Sequence, residues 1–101
     1  MSYDIPLDEF RQARARLAPY TRHTPLAPWP LLHDDAPAGL RLKLENLQVV
    51  GSFKPRGVFN HMRQLDPDRR QRGVVTASAG NHGPAVAYVA HQLAIPATIF
   101  L

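Results

Sequence analysis

The sequence predicts an α/β fold with a parallel sheet, and three observations carry that expectation. A short apolar run, GVVTA from Gly73 to Ala77, is followed by a helical run, Pro84 to Leu93, and then by a second apolar run, ATIFL. Within the middle run Val86, Val89, Ala90 and Leu93 fall at i, i+3, i+4 and i+7, so the order is strand, helix, strand, a βαβ unit. Second, no Asp, Glu, Lys or Arg occurs from Gly73 to Leu101. Such a segment is usually buried on several sides inside a larger α/β sheet. Third, RLKLENL, Arg41 to Leu47, alternates as a half-buried strand does, and it delivers the chain to a segment that opens another helix.

The remaining elements follow in order. A first helix is predicted to start near Pro6, a residue suited to a first turn, with Asp8 and Glu9 at the favourable end of the dipole. Leu7, Phe10, Ala13, Arg14 and Leu17 keep helical spacing, and Pro19 stops it. Its apolar stripe is expected to dock on a core, since the other face mixes charge signs. TPLAPWPLL, Thr24 to Leu32, holds three prolines and reads as extended chain with edge-type strands. Asp34 to Gly39 reads as a turn-rich loop. Ser52 is a good N-cap and Pro55 fits a first turn, so a helix is predicted from about Phe53 to Leu65, with Val58, Met62 and Leu65 on one side.

Two connections carry chemistry. In GSFKPRG, Gly51 to Gly57, glycines let the backbone turn or approach a ligand, and proline fixes φ; between them stands Lys54. The partial positive charge of a helix N-terminus disfavours an ammonium there and favours the neutral amine that a Schiff-base lysine requires. In the βαβ unit, Ser78, Ala79, Gly80, Asn81, His82 and Gly83 form a small-residue loop leading into a helix N-terminus. Loops of that kind point backbone N–H groups at an anion.

Composition narrows the function classes. A domain of about 100 residues buries only a little over 60% of its unfolded surface, which permits one small domain. No stretch approaches the roughly 20 apolar residues of a membrane span, and MSYDIPLDEF has neither the basic nor the apolar region of a signal peptide, so a cytoplasmic protein is expected. Zero cysteines fit that compartment and exclude thiolate nucleophiles, disulfides and zinc-thiolate sites. The net charge of +4 raises the question of nucleic acid. However, Arg63 to Arg72 is interrupted by Asp66 and Asp68 and carries no aromatic residue, which reads as a solvated helix end and loop.

Two motifs, LKLENLQVVGSFKPRG and TASAGNHG, resemble the paired signatures of the fold-type II pyridoxal-phosphate enzymes, most closely the serine/threonine dehydratase and serine racemase branch. The resemblance covers nearly the whole chain in order and spacing, from the first helix through TPL to the SAGNHG loop. It implies a tryptophan synthase β-like fold, an open parallel sheet with helices on both faces. Residues 1–72 would belong to the large domain and 73–101 would begin the small α/β domain. The implied cofactor is pyridoxal 5′-phosphate. Lys54 would bind it covalently and shuttle the substrate α-proton, Phe53 would pack against its ring, and Asn81 would hydrogen-bond its 3′-oxygen. The Ser78, Ala79, Gly80, Asn81, His82 loop would hold the carboxylate of an amino-acid substrate.

The implied reaction converts L-threonine or L-serine to a 2-oxo acid and ammonia. Racemases of this branch have a serine on the face opposite the lysine, in an SSGNHG loop; this sequence has Ala79 there, which favours a dehydratase. Pro84 departs from the pattern, which commonly has Gln at that position. A homodimer is implied, and no nucleic acid, membrane or metal partner. The sequence has no GGGG-type phosphate loop, no later Ser or Cys for the pyridine nitrogen, and no cation-binding acidic cluster. The chain is therefore expected to be the N-terminal part of a longer enzyme and inactive alone. Arg56 is expected in a structural ion pair, Glu45 and Asn46 to position the lysine loop, and His82 to serve through its backbone rather than as a base. Three readings stay beside the lyase: an amino-acid racemase of the same family, a folded fragment without activity, and a basic binding module.

Overall fold

The computed structural model describes residues 4–28 and 39–101. The last four residues of the Thr24 to Leu32 stretch, from Trp29 onward, and the Asp34 to Gly39 loop except its last residue, lie outside them. Helix α1, Leu7–Leu17, follows Pro6 at the capping position, where Glu9 N–H donates to Pro6 O at 3.0 Å. Asp8 and Glu9 lie in its first turn and Arg14 and Arg16 in its last, both favourable to the dipole. Strand β1, Leu26–Pro28, pairs antiparallel with β2, Arg41–Lys43, with Leu26 opposite Lys43. The chain then passes through two 3₁₀ turns, Glu45–Leu47 and Val49–Gly51, into α2, Lys54–Met62. Next come α3, Pro67–Arg72, strand β3, Val74–Ala77, helix α4, His82–Gln92, and strand β4, Ala97–Phe100. Strands β3 and β4 pair in parallel, Val74 opposite Ala97 and Ala77 opposite Phe100, so the predicted βαβ unit is present.

One core joins these elements. Leu17 of α1, Val58, Phe59 and Met62 of α2, and Ala85, Val86, Val89 and Ala90 of α4 are buried together with Ile95. Phe59 is fully enclosed; the ring of Tyr20 stacks on it with centroids 4.8 Å apart, and Tyr88 meets it edge-on at 6.2 Å. Arg16 Nε donates to Asn60 Oδ1 at 3.0 Å and ties α1 to α2. The sheet buries one face only. Val74 and Ile99 pack on the core, whereas Val75 and Phe100 on the other side are 71% and 60% exposed.

Several expectations are corrected. The alternating RLKLENL is strand for three residues only and then turns, because Glu45 is drawn toward an arginine on α2. Helix α2 ends at Met62 rather than Leu65: Arg70 Nε and Nη2 donate to Leu65 O (3.1 Å) and Arg63 O (2.9 Å), binding carbonyls that follow the helix. The arginine run is itself a helix, α3, capped by the Asp66 side chain on Arg69 N–H at 2.8 Å and closed by Gly73. Helix α4 begins at His82, two residues before Pro84. Of the apolar stripe of α1, only Leu17 is buried; Leu7 and Phe10 are 63% and 57% exposed.

Gly73 joins α3 to β3 with φ 86° and ψ −173°, a conformation side chains resist. A Cβ there would stand 2.5 Å from Pro96 O and 3.0 Å from Pro96 Cβ, just where Val74 N–H donates to Pro96 O at 2.8 Å to begin the parallel pairing. Neither neighbour is a flexible side-chain end. Gly73→Ala is therefore expected to cost about 3 kcal/mol, read as a lowered urea midpoint; an unchanged midpoint would contradict the close approach.

Candidate active site

Lys54 is the first residue of α2. The capping position is taken by Phe53 rather than by Ser52, whose backbone is extended (φ −150°, ψ 166°) and whose hydroxyl is buried with no hydrogen-bond partner among the described residues. Lys54 is half-buried, and its Nζ lies 5.1 Å from the centroid of the Phe53 ring, itself 59% exposed. An amine and an open aromatic face thus stand side by side at a helix start. The only other lysine, Lys43, is engaged: its Nζ donates to Thr24 O at 2.6 Å.

The second motif lies between β3 and α4. Ser78 N–H donates to Phe100 O (2.9 Å), and the Ser78 hydroxyl accepts from Gly80 N–H at 3.2 Å, so the loop is folded on itself. Ala79, Gly80 and Asn81 are exposed and His82 is half-buried. Asn81 occupies the capping position of α4 with helical backbone and makes no side-chain cap bond, so its amide is uncommitted. Gly83 N–H donates to Gly80 O at 3.3 Å, and Pro84 has no N–H to offer. The helix α4 touches both α2 and the Val49–Gly51 turn just before Lys54. Gly57, one turn beyond Lys54, and His82 line the same groove of about 340 Å³, so the two helix starts lie close together. Of the predicted site residues that groove includes His82 alone, and its remaining lining from α2, β3 and α4 is largely apolar; it lies beside the lysine rather than at it.

Behind Lys54 the chain is held by a polar network. Arg56 Nε and Nη2 donate to Glu45 Oε2 (2.7 Å) and Oε1 (2.8 Å), a bidentate pair. The buried Thr24 hydroxyl also binds Glu45 Oε1, and Arg56 Nη2 reaches Arg22 O at 3.4 Å. Gln48, 2% exposed, mimics a strand partner: its Oε1 accepts from Arg22 N–H and its Nε2 donates to Arg22 O, each at 2.8 Å, while Val49 N–H also donates to Oε1. Residues two apart on a helix point to nearly opposite sides, so Arg56 pulls the back of the first turn onto the 22–24 and 45–48 segments and leaves Lys54 facing away. Arg56 and Glu45 thus pair as expected. Asn46 is exposed and shares in none of these side-chain bonds. Sequence reasoning missed Gln48, Thr24 and Arg22; a polar side chain whose partners lie 26 residues away leaves no periodic signal.

The Arg56 hydrogen bonds hold the Glu45 carboxyl down at about 2, helped by Thr24 and by the charges of Arg56 and Lys43 and opposed by burial. A depressed carboxylate contributes stability that is present above its unfolded value, near 4.5, and lost as pH falls toward 2. With a third of the Arg56 side chain exposed, the contribution is about 1–2 kcal/mol. Urea midpoints should therefore fall between pH 4.5 and 2 more steeply in the unmodified chain than in Glu45→Gln; parallel curves would remove Glu45 from the account.

These residues suit a planar carbonyl-bearing cofactor that carries acceptor oxygens. The amine can bind it covalently, the open Phe53 ring can lie against it, and the uncommitted Asn81 amide can donate to it. No group of three or more metal-ligating side chains, and no helix long and apolar enough to cross a membrane, occurs among the described residues. Comparison with known proteins agrees. The family described as pyridoxal-phosphate dependent enzyme matches residues 17–101. The L-threonine ammonia-lyase of Thermotoga maritima is 42% identical over 97 residues, which cover 96% of this chain and 24% of the relative. The solved structure of maize serine racemase is 43% identical with a TM-score of 0.74, covering 91% of this chain and 29% of that one. The processed form of threonine deaminase isoform 2 from Solanum lycopersicum is 32% identical with a TM-score of 0.73, covering 98% and 30%. The chain spans about a quarter of the length of the curated relatives it matches, and its fold class is that of these neighbours. On the family match and these likenesses together, the chain belongs to the pyridoxal-phosphate dependent enzymes.

Proposed function

We propose that these residues supply the lysine and the substrate-carboxylate loop of a pyridoxal-phosphate-dependent ammonia-lyase that converts L-threonine or L-serine to a 2-oxo acid and ammonia, in a protein of the relatives' length. The observation that carries the reading is the free lysine at the start of α2 beside an open aromatic ring, with an uncommitted asparagine at the start of the adjacent α4. Lys54 holds the cofactor covalently and then moves the substrate α-proton at Nζ. Phe53 packs on the cofactor ring, and Asn81 donates its amide to the 3′-oxygen. Ser78, Ala79, Gly80, Asn81 and His82 bind the carboxylate through backbone N–H groups and the Ser78 and Asn81 side chains. When bound, pyridoxal phosphate supplies the electron sink for the substrate α-carbon.

The names of the lyase relatives support this substrate class, and the serine racemase likeness keeps racemisation as the second reading. A boundary between a large domain, 1–72, and a small one, 73–101, belongs to the same reading; the break in composition at Gly73 supports it, and the core shared by α1, α2 and α4 is then the contact between the two. A cytoplasmic homodimer without nucleic acid belongs to the same reading. In support of the absence of nucleic acid alone, Arg70 is occupied by carbonyls, Arg69 by Asp66 at 3.4 Å, and Arg63 by the Tyr20 ring. The test is release of 2-oxobutanoate and ammonia from L-threonine by the purified full-length protein with added pyridoxal phosphate. Cofactor binding without release from threonine or serine would overturn the lyase reading.

A further inference from the structure

Two non-glycine residues have positive φ among the described residues, Ala94 (φ 53°) and Val50 (φ 54°). The first is explained by a helix end. Ala94 N–H donates to His91 O (3.2 Å) and Ile95 N–H to Ala90 O (2.9 Å), the paired bonds of a left-handed C-terminal cap. Val50 ends no such helix. It stands third in a turn closed by Gly51 N–H on Gln48 O at 2.8 Å, a place suited to glycine or asparagine. For a β-branched residue this conformation is an outlier. Val50 is 41% exposed, so burial does not compensate. Gly51 follows with φ 72°, and then comes Ser52 with its buried, unpartnered hydroxyl. Two local costs thus fall within the four residues before Lys54. The segment that bears them is held at both ends, by Gln48 on Arg22 before it and by Arg56 on Glu45 after it.

We infer that Val50 is a positioning residue: its strained turn, closed by these two sets of bonds, fixes the direction in which the backbone enters α2 and so the placement of the Lys54 amine. The inference rests on the role given to Lys54 above. Strain of this kind persists only where surrounding structure over-determines it, and it gathers where position matters more than stability. Glycine at position 50 would accept the left-handed conformation without strain and would also admit others. The turn would then be easier to form and looser once formed.

The test uses the full-length protein carrying Val50→Gly, first without cofactor. The urea midpoint should rise, while amide exchange at Arg56, Gly57 and Val58 becomes faster by about tenfold. On addition of pyridoxal phosphate, the visible band of the lysine-bound cofactor should grow more slowly. Val50→Asn, which tolerates the left-handed region with less freedom, should keep the raised midpoint and restore slow exchange. A lowered midpoint in Val50→Gly would deny the strain. A raised midpoint with unchanged exchange would separate the strain from the lysine, and either result overturns the inference. Exchange needs no cofactor, so a missing band in the unmodified protein counts against the proposed function alone.

Discussion

Lys54→Ala is expected to abolish the visible band of the lysine-bound cofactor in the full-length protein and to leave the fold in place. The two effects separate because of what the side chain touches. Among the described residues the Lys54 ammonium has no hydrogen bond or ion pair, and it stands over the Phe53 ring, 5.1 Å from the centroid. A cation over a ring at the protein surface is worth about 0.5–1 kcal/mol. Against that loss, alanine is the better helix former, and removing a cation from a helix N-terminus gains a few tenths of a kcal/mol, so stability should change by less than about 1 kcal/mol. The proposed covalent role has no substitute in this chain, since Lys43 is held on Thr24 O. Spectra with added pyridoxal phosphate, read beside urea midpoints, test both halves. A band that survives the substitution would move the cofactor to another lysine and dissolve the site described here.

The elements that set this site were legible where local signals agreed. The 3.6-residue spacing of Val86, Val89, Ala90 and Leu93 between two apolar runs gave the βαβ unit, and Pro55 marked the first turn of α2 with Lys54 at its start. What escaped was set by distant partners. RLKLENL alternates like a strand, yet after Leu44, whose N–H still donates to Pro25 O at 3.0 Å, the chain turns at Glu45, which meets Arg56 11 residues on. Ser52 has the chemistry of a cap, but the turn at Val50 and Gly51 puts Phe53 in that position. Helix α3 lacks any apolar period. Its signals are Asp66 before it, Pro67 at its first position and Gly73 after it. In the first two cases residues near Lys54 depart from their local preference, and the bonds of Glu45, Arg56 and Gln48 hold the chain on either side of them.

The choice between elimination and racemisation turns on one exposed position. The relatives include both kinds of enzyme, so overall likeness does not decide it. Racemisation needs a proton donor and acceptor on each face of the substrate α-carbon. In the proposed site Lys54 would serve one face, and where the racemase pattern has serine on the other, this chain has the methyl group of Ala79. Return of a proton to that second face would depend on water, whereas a placed acid or base is worth about 10²–10⁴ in rate. The full-length protein should therefore release pyruvate from L-serine about 10²-fold or more faster than it forms D-serine. Ala79→Ser should raise racemisation relative to elimination. The residue is exposed in the loop after β3, so the added hydroxyl should leave urea midpoints unchanged, and any change in product ratio would report chemistry rather than folding. Chiral chromatography of L-serine incubations beside pyruvate release measures the ratio. Rapid D-serine formation by the unmodified protein would show that the second face is served by a group other than residue 79, and racemase would become the better reading of the same lysine.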